Sequence, residues 1–363
     1  MGPGPSMISP RVRQAMSAPA LGYMDPEFLD VLDDIQELLR YTFQTDNEWT
    51  LVTSGTGTAA MEAAIGNLLE PGETMLVRTN GYWGDRMAQM ARRVGGEVVP
   101  LDVSATAPLD PADVEAAFAE HDVDVFGFCH ADTTTGIRQP DVAELADIAR
   151  DHDAYTIMDC VTSLSGVEVR VDEWGVDAAY GSPQKCLSCT PGVTPLTVND
   201  RAREKILHRA TDTTSWYLDL AGVTEYWGDD PSYHHTPPTS ALYGLREALR
   251  LVAEEGLETR WERHRTVAGE LVAAAEEAGT VVQRPGVAIP VDDAVDGLTH
   301  STLLHAPFSG DNDATASALS SLSLPHGDTD DGSDAAGEAR RSIASRVALA
   351  VAGDGDATPR AAD

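Results

Sequence analysis

The sequence predicts an α/β protein built on a mainly parallel sheet with helices on both faces. Three observations carry this. Short apolar runs alternate with helical patterns from about residue 45 to residue 200. The helical patterns are 10–15 residues long, the length of βαβ crossovers. Several apolar runs lack the polar alternation of a sheet exposed on one side, so they read as strands buried on both faces.

The elements follow in order. Residues 49–53 read as a strand and 57–69 as a helix; 74–78 as a strand and 84–94 as a helix; 97–101 as a strand and 111–120 as a helix. Residues 123–129, 155–158 and 193–198 continue the strands, and 142–152 supplies another helix. Residues 239–278 form a long helical stretch with Leu242, Leu245, Leu249 and Val252 at helical spacing and an interruption at Gly256. After about residue 285 the character changes. Residues 286–363 hold one aromatic residue, Phe308, and 309–340 is dominated by Ser, Asp, Ala, Gly and Thr. Such a segment offers little apolar surface to offset the entropy of ordering.

The chain has 363 residues, and its 25 basic and 59 acidic side chains give a net charge of −34. That field repels phosphate backbones and anionic lipid, which argues against nucleic-acid binding and against a polybasic membrane patch. No apolar run reaches the roughly 18 residues of a spanning helix. The first residues lack the basic and apolar regions of a signal peptide, so the expected compartment is the cytoplasm. Only two lysines occur, Lys185 and Lys205. Abundant carboxylate with scarce lysine resembles the proteins of salt-accumulating halophiles, in which molar salt screens the repulsion. An acidic protein from a GC-rich genome is the alternative. The cysteines at 129, 160, 186 and 189 include one C-x-x-C but no second pair and no completing histidine pattern. They read as small buried residues, without a zinc site or a disulfide framework.

Three segments carry candidate chemistry. In the first, Thr53-Ser54-Gly55-Thr56-Gly57-Thr58, a strand ends in a glycine-rich turn and a helix begins. Unpaired N–H groups and the positive end of a helix dipole suit a phosphate there, although an unliganded helix cap has the same sequence. In the second, an apolar strand delivers Asp159 at its carboxyl end, where open parallel sheets bind ligands; an aspartate capping the next helix is the alternative. In the third, Lys185 lies among small and apolar residues, whereas Lys205 sits in a charged helical run. A lysine in an apolar pocket has a lowered pKa, and its neutral amine can condense with a carbonyl. Together these pieces supply what pyridoxal 5'-phosphate needs: a phosphate cradle, a carboxylate for the pyridine nitrogen, and an amine for the aldehyde.

Seven motifs then extend the pattern: GPGPS (2–6), SGTGTAAMEAA (54–64), NGYWGDR (80–86), HADTTTG (130–136), MDCVTS (158–163), GSPQKCL (181–187) and YHHTPPTSALYGLREAL (233–249). With them, residues 1–285 resemble the class V, fold type I PLP-dependent aminotransferases, most of all the alanine–glyoxylate / serine–pyruvate branch. The resemblance implies a large domain with a seven-stranded, mainly parallel sheet and a small α+β C-terminal domain. It implies an N-terminal arm (1–20), a large cofactor domain (21–240), and a connecting long helix with the start of the small domain (241–285); the composition makes 286–363 a low-complexity tail, frame-shifted or disordered, where the rest of the small domain is expected.

By resemblance, Lys185 is the Schiff-base lysine and Asp159 the partner of the pyridine nitrogen. Val161 packs on one ring face and Trp83 stacks on the other, although Trp83 read alone is a core aromatic. Ser54, Gly55, Thr56 and Gln184 form the phosphate cradle, and Thr134 places a hydroxyl near the ring. Tyr233 and Thr236 reach the phosphate of the neighbouring subunit, which implies a homodimer. Gly4 lines the substrate pocket. Adjacent His234 and His235 diverge and find no third ligand, so no metal is expected.

The implied reaction moves the amino group of alanine or serine to glyoxylate or pyruvate. The family's R-I-G segment, whose arginine clamps the substrate carboxylate, is missing; Arg340, Arg341, Arg346 and Arg360 do not fit it. The tail therefore reads as a shifted reading frame or a diverged remnant. Two alternatives follow: a catalytically impaired PLP-binding dimer scaffold, or a phosphonate aminotransferase, which would want more cationic groups. A cysteine desulfurase would need a later cysteine than Cys189.

The charge reading makes a direct prediction. The melting temperature should climb as KCl rises from about 0.1 M to about 1 M, because the Debye length shortens from roughly 10 Å to 3 Å. A flat or falling melting temperature would contradict it.

Overall fold

A computed structural model describes residues 4–79, 81–104, 107–228 and 230–277. The tail from 286 to 363, with its four arginines, lies outside the described residues.

Seven strands form one sheet: β1 (Trp49–Gly55), β2 (Thr74–Arg78), β3 (Glu97–Leu101), β4 (Val125–Cys129), β5 (Tyr155–Asp159), β6 (Ala178–Tyr180) and β7 (Gly192–Val198). Their order is β1-β7-β6-β5-β4-β2-β3. β7 runs antiparallel to both neighbours, and the other six strands share one direction. The sheet is therefore mixed but mainly parallel, as expected.

The helices are α1 (Pro10–Met16), α2 (Pro26–Phe43), α3 (Gly57–Leu68), α4 (Tyr82–Arg93), α5 (Pro111–Glu120), α6 (Val142–Asp151), α7 (Val171–Trp174), α8 (Asp200–Leu207), α9 (Leu220–Trp227), α10 (Thr239–Glu255) and α11 (Leu257–Glu277). The long helical stretch thus divides in two. Gly256 takes φ +82°, a positive value that a residue bearing Cβ rarely adopts.

Alternation along the strands feeds two apolar layers. Leu76, Phe126, Phe128 and Met158 join α2, α5, α6 and α10 on one face. Met75, Val77, Val125, Ile157 and Leu196 join α3, α4 and α8 on the other. Leu242, Leu245, Leu249 and Val252 of α10 are all buried, so this helix belongs to the same core as the sheet. All four cysteines are buried and free. No helix among the described residues is long and apolar enough to cross a membrane.

This architecture gathers one set of loops. The turns after β1, β2, β4, β5 and β6 leave the same edge of the sheet, the carboxyl edge of the six parallel strands. Helix α4 is seated there by Gly84, where an added Cβ would overlap the Arg78 carbonyl at the end of β2. Because that obstacle is backbone, Gly84→Ala is expected to destabilise the protein by about 1–3 kcal/mol in urea unfolding. An unchanged midpoint would contradict this packing.

Candidate active site

Asp159 ends β5 and is 4% exposed. Its Oδ1 accepts the Val161 N–H at 2.8 Å and its Oδ2 accepts the Tyr180 hydroxyl at 2.9 Å. Tyr180 lies directly opposite on β6, so the register of two parallel strands builds this pair. Burial lifts the Asp159 carboxyl to about 6, against the pull of those two donors and of Lys185, with Asp132 adding repulsion.

Lys185 lies in a tight turn between β6 and β7. Within it, Ser188 N–H donates to the Lys185 carbonyl (3.0 Å) and Cys189 N–H to the Pro183 carbonyl (2.8 Å). Ser188 takes φ +58° to close the turn. Burial pushes the Lys185 ammonium down, while Cys186 and Asp159 push it up. Lys205 is built differently. Its Nζ sits 2.7 and 2.9 Å from the two Glu73 carboxylate oxygens and 4.9 Å from the Tyr155 ring centre, an ion pair on α8.

The N-terminal arm closes over this turn. Ser6 N–H donates to the Gln184 carbonyl at 2.8 Å, and the Ser6 hydroxyl reaches the carbonyls of Gln184 (3.1 Å) and Lys185 (2.8 Å). Gly4 is thereby brought against the lysine: a Cβ there would stand 3.1 Å from both Lys185 Cδ and Nζ. Gly4 also has φ +140°, so glycine is required twice over.

The residues expected to form a phosphate cradle are divided between two faces of the sheet. Gly55 has φ +142°, and a Cβ on it would meet the Ala59 Cβ at 2.5 Å. Thr56 is the N-cap of α3, and its side chain makes no capping bond. Gln184 Oε1 accepts the Ser182 hydroxyl at 2.5 Å. Ser54 is a correction. Its Oγ lies 2.7 Å from His235 Nε2, in a pocket lined by Val52, Tyr226 and Leu242. Strand alternation turns that side chain to the α2/α10 face, away from the start of α3. The residue that faces the cleft instead is Gly57. A Cβ on it would stand 3.2 Å from Ser182 Oγ and 3.3 Å from Val161 Cγ2. Gly57 and Ser182 thus lie together at the start of α3, and both lie inside motifs already singled out.

Val161 is partly buried beside the α3 start. Trp83 is partly buried at the start of α4, edge-on to Tyr82 with ring centres 5.0 Å apart. Thr134 holds that start, its Oγ1 accepting the Tyr82 N–H at 3.3 Å and its own N–H donating to Asp132 Oδ1 at 2.7 Å. Tyr233 and Thr236 are not joined to these groups within the chain. Their hydroxyls bond each other at 2.9 Å, and Tyr233 is 52% exposed. His234 and His235 bond each other through Nδ1 at 2.7 Å, and the His234 ring stacks on Trp216.

The residues present fit a phosphorylated pyridine aldehyde. A glycine-lined helix start faces the cleft, a buried acid lies at the strand end, and a half-buried amine stands in the adjacent turn. The family model for aminotransferase class-V matches residues 14–284. The chain belongs to the class-V aminotransferases.

Similarity within the family runs to particular members. Alanine–glyoxylate aminotransferase of Drosophila melanogaster is 41% identical over 282 residues, covering 77% of this chain and 72% of that protein. A crystal structure of alanine–glyoxylate aminotransferase from Nostoc sp. is 42% identical with TM-score 0.78, covering 82% of this chain and 80% of the other. The ureidoglycine–glyoxylate aminotransferase structure from Bacillus subtilis is 37% identical, also with TM-score 0.78, covering 82% and 78%. This class-V aminotransferase is an enzyme of amino-group transfer, and its family implies pyridoxal phosphate.

Asp159 gives a pH prediction. Its folded pKa of about 6 stands above the ordinary value of 3.8. Below about pH 3 both folded and unfolded states hold the proton, and its favourable share of stability is fully present. That share, about 3 kcal/mol, is lost as pH rises from about 4 through 6. Asp159→Asn removes this dependence. The cofactor-free variant should therefore be more stable than wild type at pH 7, by up to that amount in urea unfolding, and the gap should close below about pH 3. A gap that is absent at pH 7, or that persists at about pH 3, would contradict the buried-acid reading.

Proposed function

We propose that the enzyme transfers the amino group of a small amino acid, alanine or serine, to glyoxylate or pyruvate, with pyridoxal phosphate held at Lys185. The observation that carries this is the convergence of Asp159, Lys185 and the Gly57 end of α3 on one edge of the sheet. The bound cofactor supplies an electron sink for charge developing at the substrate's Cα.

The chain's own residues do the rest. Asp159 would meet the protonated pyridine nitrogen, and that neighbouring cation would favour its ionised form. Val161 and Trp83 would hold the ring. Backbone N–H groups at the start of α3, with Thr56 and Gln184, would take the phosphate, whose charge the helix dipole favours. Lys185, whose charged form is disfavoured by burial, would take the proton from the donor's Cα and, in the second half of the exchange, give one to the acceptor's Cα. Gly4 keeps the arm close to that amine without a side chain in the way.

Two chains complete the site in this reading. Tyr233 and Thr236 serve the neighbouring subunit's phosphate. Support comes from their exposure and from the large apolar side chains around them. Trp216 is 67% exposed, and Tyr217, Tyr23 and Met24 are exposed too. Such a patch marks an interaction surface. The names of the relatives favour catalysis over a scaffold role.

The test is spectroscopic. Wild-type protein loaded with pyridoxal phosphate in high salt should show a visible absorption band, and Lys185→Ala should lose its covalent character. L-alanine or L-serine should bleach the band, and glyoxylate or pyruvate should restore it. A band indifferent to every amino acid would overturn the proposed reaction.

A further inference from the structure

We propose that Arg260 is a positioning residue for Lys185, acting through the carbonyl of Cys186. This rests on reading Lys185 as the cofactor lysine.

Arg260 stands in the first turn of α11 and is 7% exposed. Its Nη2 donates to the Cys186 carbonyl, and its Nη1 to Glu255 Oε2 at 2.6 Å. Its Nε is buried without a hydrogen-bond partner. Glu255 also accepts from Arg263, through Nε at 2.6 Å and Nη2 at 3.0 Å. Two arginines thus share one carboxylate, so the second donor arm of Arg260 is not spent on neutralising charge. It is aimed at the peptide after the lysine. Burying a guanidinium is costly, and an ion pair with Glu255 alone would not require this placement.

The clamp continues on either side. The carbonyls of Gln184 and Lys185 accept from Ser6, and that of Cys186 from Arg260. Three consecutive carbonyls are held from outside the turn, by segments more than 250 residues apart. Cys186 Sγ donates to the Thr162 carbonyl at 3.4 Å, and the Thr162 hydroxyl donates to the Ala131 carbonyl at 2.7 Å. The turn is therefore tied to the segment carrying Val161 and to the loop carrying Thr134. A lysine that moves a proton swings its amine, and the swing is accurate only when its Cα stays fixed. The break at Gly256 aims the guanidinium: with Arg260 N–H donating to the Gly256 carbonyl at 3.0 Å, the first turn of α11 points at residue 186.

The test compares the holoenzymes of wild type, Arg260→Met, Arg260→Gln and Val252→Ala. Val252 is a buried core residue of α10 outside the site, and it serves as a control for lost stability. The readouts are the pH titration of the cofactor's visible band, and kcat with ordinary and α-deuterated L-alanine. For Arg260→Met, kcat should fall roughly ten- to hundredfold. Its α-deuterium isotope effect should rise and its titration midpoint should move. Arg260→Gln, which keeps a donor, should shift in the same direction by less, and it decides the matter if the methionine variant does not fold. Val252→Ala should melt lower yet keep the wild-type isotope effect and titration. The proposal is overturned if the Arg260 variants keep both wild-type readouts, or if Val252→Ala shifts them equally. A wild-type protein with no visible band would overturn the lysine assignment itself, an outcome distinct from the others.

Discussion

A carboxyl group and an amine share a water-poor cleft at the carboxyl edge of the sheet, and burial drives each toward its neutral form. The rest of the structure serves that constraint. β5 delivers Asp159, and β6 sets Tyr180 opposite it to satisfy the second carboxylate oxygen. The turn that follows β6 brings Lys185 back to the same edge. An uncompensated buried acid weakens the fold above its pKa; in the proposed reading, a cation at the pyridine nitrogen would remove that penalty and couple folding to loading.

The tight turns around the cleft explain the density of glycine there. Gly4, Gly55, Gly57 and Gly84 each stand where a Cβ would meet the lysine, a neighbouring helix, the Ser182 loop or backbone. In the proposed reading, close approach lets backbone donors rather than cationic side chains receive a phosphate. In a chain of net charge −34 with two lysines, Lys205 is held by the Glu73 ion pair and Lys185 is the one proposed for chemistry.

Much of this was legible in sequence because the central strands are buried on both faces and the helices between them have ordinary lengths. β2 and β3 have the bounds their apolar runs predict, and so does α5. β6 leaves almost no signal: three residues, Ala178–Tyr180, are too few to show a period. Helix α2 is a different case, since Pro26 at its start and the buried Phe28, Val31, Leu32, Ile35 and Leu39 carry a full helical pattern outside the alternating segment. In the site, Asp159 and Lys185 were readable from their strand-end and apolar contexts. Which residues of the glycine-rich turn face the cleft was not readable. A run of Ser, Gly and Thr offers several equivalent candidates, and only the start of α3 at Gly57 selects among them. Arg260 has no local signal at all, because its partner is fixed by tertiary packing.

Two lysines make the central assignment open to a single measurement. Protein loaded with pyridoxal phosphate, reduced with borohydride and mapped by peptide mass spectrometry should carry the cofactor's mass on the peptide containing Lys185. The Lys205 peptide should be unmodified. Label on Lys205, or none on either peptide, would contradict the account.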